Sequence, residues 1–302
     1  MTEVVREREV RQRTVAKARV LLEALPYIRE HWGKTVVIKL GGAAMAESDL
    51  SASFAEDVAL LRLAGVKPVV VHGGGPQISA LSERLGLTPR FERGLRVTDA
   101  DTLDVARMVL VGKINAEVVS LINRQGVPAA GVSGEDGALF VAELRDESLG
   151  LVGRITGVNT GVVQSLMDGF VPIVASTASD GRGQAYNVNA DEAAAALAVA
   201  LGAEKLVYLT DVPGLYEEIN GLDELLSELS LEECKRLLAG GVVQGGMIPK
   251  VEGVLHAMEG GVGRAHILDG RVRHALILEL FTPEGLGTMI TRDGTVVPRE
   301  ER

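Results

Sequence analysis

Cysteine and aromatic residues are scarce in this sequence, and it contains no long apolar run. Among 302 residues cysteine occurs once, as Cys234, and Phe, Trp and Tyr together make up 3%. A lone cysteine excludes a disulfide framework or a cysteine zinc cluster, and we expect it to be a small packing residue in an amphipathic helix over 231–238. No apolar run approaches the roughly 18 residues of a membrane-spanning helix, and the Arg- and Glu-rich start lacks the apolar core of a signal peptide. We therefore expect a cytoplasmic protein without a membrane partner.

Positive charge and the common nucleotide-binding motifs are also in short supply. The chain has 31 Lys and Arg against 41 Asp and Glu, a net charge of −10, which disfavours non-specific binding to nucleic acid. It has no G-x-x-x-x-G-K-[ST] motif of a P-loop enzyme, and no G-x-G-x-x-G after the first predicted strand, which argues against a Rossmann NAD site. Glycine is abundant, with 36 residues, and 46% of the chain is apolar. This composition is typical of an α/β protein with glycine turns near its ligands, built as one large domain or two lobes.

Two glycine-rich stretches organise the chain. Residues 69–77 are Val-Val-Val-His-Gly-Gly-Gly-Pro-Gln, which predicts a buried strand, a turn with dihedrals open only to glycine, and a helix starting near Pro76. Residues 36–42 are Val-Val-Ile-Lys-Leu-Gly-Gly, a second strand that ends in glycines. A helix near 49–64 joins them into a βαβ unit, so both turns lie at one edge of a parallel sheet. Backbone amides and a helix N-terminus there suit a polyphosphate, and Lys39 either serves it or snorkels from an edge strand.

Other segments fill in the sheet. We expect a hairpin within 151–161 that covers a second substrate, and a polar turn over 177–183.

His72 is either a base or, in the favoured interpretation, a hydrogen-bonded structural residue at the end of a strand. Arg96 follows Gly94 in a loop, where it either holds a carboxylate with two parallel hydrogen bonds or is a solvated charge. Thr98 or Asp99 caps the next helix, and further strands are predicted at 127–132, 140–144, 171–175 and 205–210.

A polar phrase precedes a nearly all-apolar helix. In Asn187-Val-Asn-Ala-Asp191, alternation places Asn187 and Asn189 on one face, and Asp191 is expected to cap a helix over 192–201. Buried amides and a carboxylate are costly without partners, so we expect a ligand or lysines to engage them. The alternative is an ordinary N-cap with two turn asparagines.

A third glycine turn brings a second lysine. Gly245-Gly-Met-Ile-Pro-Lys250 opens a helix, and the stretch 210–216, Thr-Asp-Val-Pro-Gly-Leu-Tyr, can frame a nucleotide base. Two ammonium groups, Lys39 and Lys250, with Asp191 orienting both, form a constellation suited to phosphoryl transfer. No Asp/Glu cluster resembles a metal cage, so Mg²⁺ is expected to be held mainly by ATP and water.

The N-terminal segment, 1–32, stands outside this core. Apolar residues recur at helical spacing, and Pro26 is expected to kink or end the helix. The apolar stripe either meets another subunit or folds back on its own domain. Its members are Val15, Ala18, Leu21, Leu22, Leu25 and Ile28.

From about residue 20 to 291 the chain resembles the amino acid kinase superfamily. Val-Ile-Lys-Leu-Gly-Gly, Val-His-Gly-Gly-Gly-Pro and Gly-Gly-Met-Ile-Pro-Lys carry that likeness, together with Thr-Asp-Val-Pro-Gly-Leu. Gly-Leu-Arg-Val-Thr-Asp and Asn-Val-Asn-Ala-Asp narrow it to the branch that phosphorylates the γ-carboxylate of N-acetyl-L-glutamate with ATP in arginine biosynthesis. The resemblance implies a three-layer αβα sandwich around a mainly parallel open sheet, preceded by a kinked N-terminal helix. It also implies an acceptor-binding N-lobe at 33–185 and an ATP-binding C-lobe at 186–302.

The resemblance also implies roles for individual residues. Lys39 and Lys250 stabilise the phosphoryl group in flight and Asp191 holds them. Phosphoryl oxygens contact the amides of Gly41, Gly42 and Gly74. The acceptor is bound by Gly74, Gly75, Arg96, Asn187 and Asn189. The nucleotide lies near Thr210, Asp211, Val212, Gly214, Tyr216, Gly245, Gly246 and Met247. Since a γ-carboxylate is already ionised at pH 7, no general base is needed.

The two ends of the chain resemble the arginine-inhibited, hexameric branch of the superfamily. There a kinked N-terminal helix links homodimers into a hexamer, and arginine binds between that helix and the C-terminal lobe. The candidate effector residues are Tyr27, Lys205, His266, Glu279 and Gly285. In photosynthetic organisms this branch also binds a PII signalling protein, a partner that nothing in this sequence establishes.

Two alternatives remain open. The acceptor is another acyl amino acid, such as an aminoadipate derivative, or the chain is a catalytically silent sensor of nucleotide or arginine. Retention of both lysines and Asp191 argues against a sensor, which has no transition state to stabilise.

Overall fold

One eight-stranded sheet forms the centre of the computed structural model, which describes residues 15, 18–42, 45, 48–219, 222–282 and 285–293. Adjacent strands are parallel except for one antiparallel pair, Arg264–Asp269 with Thr288–Thr291, which confirms the mainly parallel sheet. The strands in spatial order are β14 (Glu228–Ser230), β16 (Thr288–Thr291), β15 (Arg264–Asp269), β11 (Lys205–Thr210), β1 (Thr35–Leu40), β2 (Lys67–His72), β8 (Val171–Ala175) and β5 (Ala129–Ser133).

Helices cover both faces of this sheet, as a parallel sheet buried on both sides requires. The first face carries α1 (Leu25–His31), α2 (Ser48–Leu63), α3 (Gly75–Arg84), α4 (Ala100–Arg107), a π-helix (Met108–Asn115), α5 (Ala116–Asn123) and α10 (Ala275–Phe281). The second face carries α6 (Gly161–Met167), α7 (Ala190–Ala200), α8 (Leu231–Ala239) and α9 (Ile248–Glu259). The three-layer architecture is therefore confirmed. Cys234 is fully buried in α8, where burial raises the pKa of its thiol to about 11, in agreement with a packing role.

Alternation along the central strands sends key side chains to opposite faces. Val36 and Ile38 pack in the core of the first face and Val37 in that of the second, so Lys39 also points to the second. Lys39 pairs with Val71, and the next position of β2 is His72. His72 therefore faces the first layer of helices, away from Lys39.

Helix α7 packs closely on its neighbours. Its N-cap is Asn189, whose Oδ1 accepts hydrogen bonds from Asp191 N (2.8 Å) and Glu192 N (3.1 Å). The expectation that Asp191 caps this helix is thus wrong, because the cap side chain lies two residues earlier. A Cβ at Gly253 of α9 would collide with Tyr208 Oη, which itself donates to Asp191 O at 2.8 Å. Four alanines of α7 are essentially inaccessible: Ala193, Ala194, Ala195 and Ala198.

Smaller sheets lie beside the large one. A four-stranded sheet contains β10 (Ala185–Asn187), β9 (Thr177–Ser179), β6 (Phe140–Leu144) and β7 (Gly153–Val158). Two strand pairs complete the set, β3 (Phe91–Glu92) with β4 (Leu95–Arg96), and β12 (Tyr216–Ile219) with β13 (Leu222–Leu225).

Two sequence expectations fail in the four-stranded sheet. Residues 151–161 do not form their own hairpin, because β7 pairs antiparallel with β6 and helix α6 follows at Gly161. The expected polar turn over 177–183 begins as a strand, because β9 pairs with β10.

The N-terminal segment divides at Ala24. Residues 18–23 are helical, Ala24 is a turn, and α1 follows with Pro26 in its first turn, which agrees with an interruption of the helix near Pro26. Tyr27 and Ile28 pack against the core of the first face, whereas Leu21 is 73% exposed. The half after Ala24 thus folds back on its own domain, whereas the half before Ala24 leaves apolar side chains such as Leu21 exposed. Predictions for residues 1–14, 16 and 17 lie outside the described residues. No helix in the described ranges is long and apolar enough to cross a membrane.

Candidate active site

The carboxyl ends of β1 and β2 meet in two glycine turns. The amide of Gly41 donates to Leu209 O at 3.1 Å, and a Cβ there would collide with that oxygen. A Cβ at Gly42 would lie 3.3 Å from the ring of Pro76, which belongs to the other turn. None of the glycines at 41–42 and 73–75 has a φ in the left-handed region, so a left-handed backbone does not explain them. The close approach of Leu209 O at Gly41 and the tight contact with the Pro76 ring at Gly42 favour glycine at these two positions instead.

Lys39, Asp191 and Lys250 meet beside these turns. Lys39 Nζ lies 2.7 Å from Asp191 Oδ1, and Lys250 Nζ donates to Asp191 Oδ2 at 3.2 Å. Lys39 comes from β1, whereas Asp191 and Lys250 lie in the first turns of α7 and α9. Asp191 is only 4% exposed. Burial alone would raise the pKa of its carboxyl, but the two ammonium groups together outweigh burial and hold that pKa below its ordinary value.

A cavity of about 220 Å³ opens between the two glycine turns and this ion-paired triad. Its polar wall combines backbone amides with cationic and amide side chains, and among the described lining residues Asp191 is the one acidic member. Such a wall suits an anionic ligand. The polar and glycine lining consists of Lys39, Gly41, Gly42, Gly73, Gly74, Gly75, Gly94, Arg96, Ser176, Asn187, Asn189 and Asp191, with apolar residues such as Ile78, Leu110 and Val152 completing it.

Arg96 is held in place by two hydrogen bonds and an aromatic ring, and one of its donor nitrogens has no partner among the described residues. Its Nη2 donates to Gly75 O at 2.7 Å and to Ser79 Oγ at 2.8 Å, and its guanidinium lies 4.7 Å from the centre of the Phe91 ring. Within the described residues its buried Nη1 has no hydrogen-bond partner. Burial lowers the pKa of Arg96, although a guanidinium stays charged. The solvated-charge alternative is therefore wrong. Ser79 and Phe91, which sequence analysis missed, fix its orientation.

The two asparagines of the polar phrase have different environments. Asn187 Nδ2 donates to Thr98 Oγ1 at 3.2 Å. Asn189 uses its Oδ1 for the helix cap, which leaves its Nδ2 as the group available to a ligand. Both line the cavity, so capping and ligand access coexist at Asn189.

His72 is a structural residue and is poorly suited to be a base. It is fully buried, and burial lowers its pKa to about 4, so the ring is neutral at pH 7. Its Nδ1 donates to Gly73 O at 3.1 Å, and its Nε2 accepts from Asn115 Nδ2 at 3.1 Å. Asn115 was not singled out from sequence, although a lone asparagine among Val109, Leu110 and Ile114 was a usable signal.

The residues expected near the nucleotide lie outside this cavity. Thr210 ends β11, the neighbour of β1 on the side away from β2, and Asp211, Val212 and Gly214 follow it. Tyr216 begins β12 and is 41% exposed. The three residues Gly245, Gly246 and Met247 form a 3₁₀ turn that leads into α9 and thus to Lys250.

The candidate effector residues gather at the amino ends of β11 and β15, opposite the glycine turns. His266 Nδ1 lies 2.8 Å from Glu279 Oε1, and Glu279 Oε2 accepts from the amide of Leu286, next to Gly285, at 2.7 Å. Lys205 is 4% exposed, and burial, reinforced by the nearby Arg264 charge, lowers its pKa to about 8.

Helix α1 adds its own groups to this cluster. Glu30 Oε1 pairs with Arg264 Nη1 at 2.9 Å, and Tyr27 lies one turn earlier on the same helix. Sequence analysis missed Glu30 and Arg264, because only the folded chain brings positions so distant in sequence together.

Known proteins resemble this chain both in sequence and in fold. The model of the amino acid kinase family matches residues 34–269. The acetylglutamate kinase of Acidothermus cellulolyticus is 58% identical over 287 residues, which are 91% of this chain and 96% of that enzyme. The N-acetylglutamate synthase from Neisseria gonorrhoeae, complexed with coenzyme A and N-acetyl-glutamate, has a TM-score of 0.81 and 29% identity over 91% of this chain and 63% of that one. Its complex with coenzyme A and L-arginine has a TM-score of 0.76 and 28% identity, again over 91% of this chain and 65% of that one. This chain thus spans less than two thirds of the synthase.

Proposed function

Because the chain belongs to the amino acid kinase family, and within it to the acetylglutamate kinases, we propose that it transfers the γ-phosphoryl group of ATP to the γ-carboxylate of N-acetyl-L-glutamate between Lys39 and Lys250. The observation that carries this location is the Asp191 carboxylate with an ammonium group on each of its oxygens, beside two glycine turns. The products are ADP and N-acetylglutamyl phosphate.

The residues support a direct transfer. A γ-carboxylate oxygen attacks the γ-phosphorus, and the bond from phosphorus to the β,γ-bridging oxygen breaks as ADP leaves. The carboxylate carries no proton at neutral pH, so no base is required, which agrees with the neutral, hydrogen-bonded state of His72. Lys39, Lys250 and the amides of Gly41, Gly42 and Gly74 stabilise the negative charge on the transferred group.

The acceptor fits the cavity as an anion with an amide. Arg96 Nη1 is a buried donor that an α-carboxylate would satisfy, and Asn187 and Asn189 line the same cavity. The backbone of Gly74 and Gly75 completes that contact surface. This arrangement favours an acylated amino dicarboxylate over carbamate or a nucleotide.

The nucleotide is assigned to the other side of the triad, in the C-lobe at 186–302, and the acceptor mainly to the N-lobe at 33–185, with Asn187 and Asn189 contributed by the C-lobe. Residues 210–216 after β11 and the turn at 245–247 before α9 lead to it, and Lys250 of α9 links them to Asp191. The described residues contain no group of three or more His, Cys, Asp or Glu that could hold a metal ion. We therefore assign Mg²⁺ to the ATP phosphates and water, where it neutralises phosphate charge.

A coupled assay of ADP release tests the reaction. Purified protein with ATP and Mg²⁺ is offered N-acetyl-L-glutamate, N-acetyl-L-aminoadipate, free glutamate or free aspartate at equal concentration. We expect turnover with N-acetyl-L-glutamate at least tenfold above every other acceptor. Preference for the aminoadipate derivative would replace the acceptor, and ADP release from none of them would support the silent sensor.

We further propose feedback inhibition by L-arginine at the cluster around Lys205, His266, Glu279 and Gly285. A buried carboxylate, Glu279, lies there beside α1, and a structural neighbour was solved with L-arginine. In the same assay, millimolar arginine is expected to inhibit the wild type, and Glu279→Gln to weaken inhibition at least tenfold while uninhibited kcat stays within threefold. Equal inhibition of both proteins would refute this effector site.

The exposed N-terminal helix supports assembly of homodimers into a homohexamer. Val20, Leu21 and Leu22 are 64%, 73% and 67% exposed on residues 18–23, while α1 behind them is anchored. Sedimentation velocity is expected to show a hexamer for the wild type and a dimer for Leu21→Asp. An unchanged sedimentation coefficient would refute the role of this helix. A PII signalling protein and a cytoplasmic location stay predictions from the sequence.

A further inference from the structure

An unusual helix lies beneath the second glycine turn. The π-helix Met108–Asn115 runs without a break from α4 into α5 and contacts β5, β8 and α3. Such turns carry an extra residue, are rare, and occur frequently at functional sites. A Cβ at Gly74 would collide with Ile114 Cδ1 and lie 3.0 Å from Leu110 Cδ2, so this helix forms the floor of the turn.

The last residue of the π-helix, Asn115, joins three adjacent strands. Its Nδ2 has two protons, which it donates to Ile173 O of β8 at 2.9 Å and to His72 Nε2 of β2 at 3.1 Å, while Val132 O of β5, at 3.3 Å, shares one of them. It is 5% exposed, and a Cβ at Gly131 would collide with its Oδ1. The Asn115 side-chain amide is thus held between β2, β5 and β8.

His72 carries this contact into the turn. Because Nε2 accepts from Asn115, the ring proton is on Nδ1, which donates to Gly73 O at 3.1 Å. The chain of hydrogen bonds therefore runs from the π-helix through the imidazole to the first residue of the turn. Protonation of the ring would break the Asn115 link, and burial keeps the ring neutral at pH 7.

We propose that Asn115 is a positioning residue for phosphoryl transfer, which through His72 fixes the Gly73–Gly75 turn in the geometry that the reaction needs. The proposal rests on the proposed function, in which the Gly74 amide contacts the phosphoryl group and the acceptor. Small displacements of such donors are costly, since a shift of about 1 Å costs roughly 10²-fold in rate. Asn115 itself touches neither substrate.

The same helical segment contains a matched control residue. Asn123, at the end of α5, accepts from Ala129 N at 2.8 Å with its Oδ1 and so ties the segment to the amino end of β5. Asn115→Ala and Asn123→Ala each remove one asparagine that links this segment to β5, one at the active-site edge of the sheet and one at the opposite edge. Both variants are expected to lower the thermal unfolding midpoint.

Steady-state kinetics separate the two residues. With N-acetyl-L-glutamate and ATP, at a temperature where circular dichroism shows each variant folded, we expect Asn115→Ala to lower kcat at least tenfold with KM for ATP within threefold. Asn123→Ala is expected to keep kcat within twofold. His72→Phe, which cuts the hydrogen-bond chain at its second member, is expected to match Asn115→Ala, and the double variant to lose little more than either.

The outcomes test separately the positioning role of Asn115 and the transmission of its effect through His72. If the wild type turns over and Asn115→Ala keeps kcat within twofold, or Asn123→Ala loses as much, the positioning role is refuted. Multiplicative losses in the double variant refute the chain through His72. If Asn115→Ala does not fold, His72→Phe decides alone, since wild-type kcat there refutes the proposal. No turnover by the wild type refutes the proposed function and this inference with it.

Discussion

Replacing Asp191 by asparagine removes the negative charge that holds two buried ammonium groups in the candidate active site. Lys39 Nζ lies 2.7 Å from one carboxylate oxygen and Lys250 Nζ 3.2 Å from the other. At an effective dielectric constant near 20, each of these attractions is about 5–6 kcal/mol. In Asp191→Asn both lysines keep their charge and lose this partner, so they repel each other and move from their positions.

The expected loss of rate follows from the donors that are displaced. Removing one preorganised transition-state donor lowers kcat by about 10²–10³-fold, or about 2.7–4 kcal/mol. Because Asp191→Asn displaces two ammonium donors without removing either, we expect kcat to fall by about 10³-fold. KM for N-acetyl-L-glutamate is expected to change by less than tenfold, since Arg96 and Asn187 remain.

A second buried aspartate provides the control. Asp57 is 2% exposed and accepts from Leu276 N at 3.3 Å, with His274 Nδ1 at 2.7 Å, but it lies on α2 on the opposite face of the sheet. ADP release at 25 °C is measured for Asp191→Asn and Asp57→Asn after unfolding curves have shown that both are folded. Asp57→Asn is expected to keep kcat within threefold. Near-wild-type kcat in Asp191→Asn, or equal losses in the two variants, would refute the electrostatic reasoning.

Further predictions concern the acceptor, the glycine turn and pH. Arg96→Lys keeps the charge but loses the planar guanidinium on Phe91, so KM for N-acetyl-L-glutamate is expected to rise about 10–100-fold in initial-rate assays, or about 1.4–2.7 kcal/mol. Gly74→Ala forces a Cβ against Ile114. We therefore expect the thermal unfolding midpoint to fall by several degrees and kcat to fall at least tenfold. Urea unfolding from pH 7 to pH 5 is expected to show stability falling by about 2.5 kcal/mol per pH unit near pH 5.

The sign of the pH prediction follows from four buried groups. Burial lowers the pKa of His31, His72 and His266 to about 4, so their stabilising contribution is full above the ordinary 6.5 and is lost as pH falls toward 4. Burial raises the pKa of Asp57 from 3.8 to about 6, which acts in the opposite direction over that interval. The unfolded state therefore binds about two more protons near pH 5. A free energy of unfolding that increases as the pH is lowered from 7 to 5 would contradict this count of bound protons.

The substitutions Arg96→Lys and Gly74→Ala each have a control variant. Arg107→Lys, at a partly exposed ion pair with Glu135, is expected to leave KM unchanged, and a similar KM shift there would remove the special role of Arg96. Gly112→Ala, where a Cβ meets open space, is expected to keep the thermal midpoint within a few degrees.

Much of the site could be predicted from sequence because its signals are local. Alternation in β1 predicts that Lys39 leaves the sheet on the side opposite its neighbours Ile38 and Leu40, and glycines after β1 and β2 predict two turns at one edge. The glycine count carries that signal, and close contacts at Gly41, Gly42 and Gly74, rather than a left-handed φ, account for three of these glycines.

What failed depends on contacts that sequence spacing does not encode. The apolar positions of the helical segment after Asp99 continue to Leu110, but the extra residue of the π-helix leaves no periodic mark that a short window resolves. Either Asn189 or Asp191 suits an N-cap chemically, and the start of α7 decides between them. The partner of β7 is β6, a pairing across a turn that alternation in 151–161 cannot specify.

Helix α7 also limits how this protein can change. Its buried alanines leave no volume for larger side chains, and the helix carries both Asp191 and the cap at Asn189. Gly253 faces it from α9 with no room for a Cβ. In a saturation library selected for activity, this helix is where the fewest substitutions would survive, whereas the exposed helix at 18–23 would tolerate many in a monomer-level screen. Diversity for engineering a new acceptor therefore belongs at cavity positions such as Leu95, away from the helix that aligns the phosphoryl group.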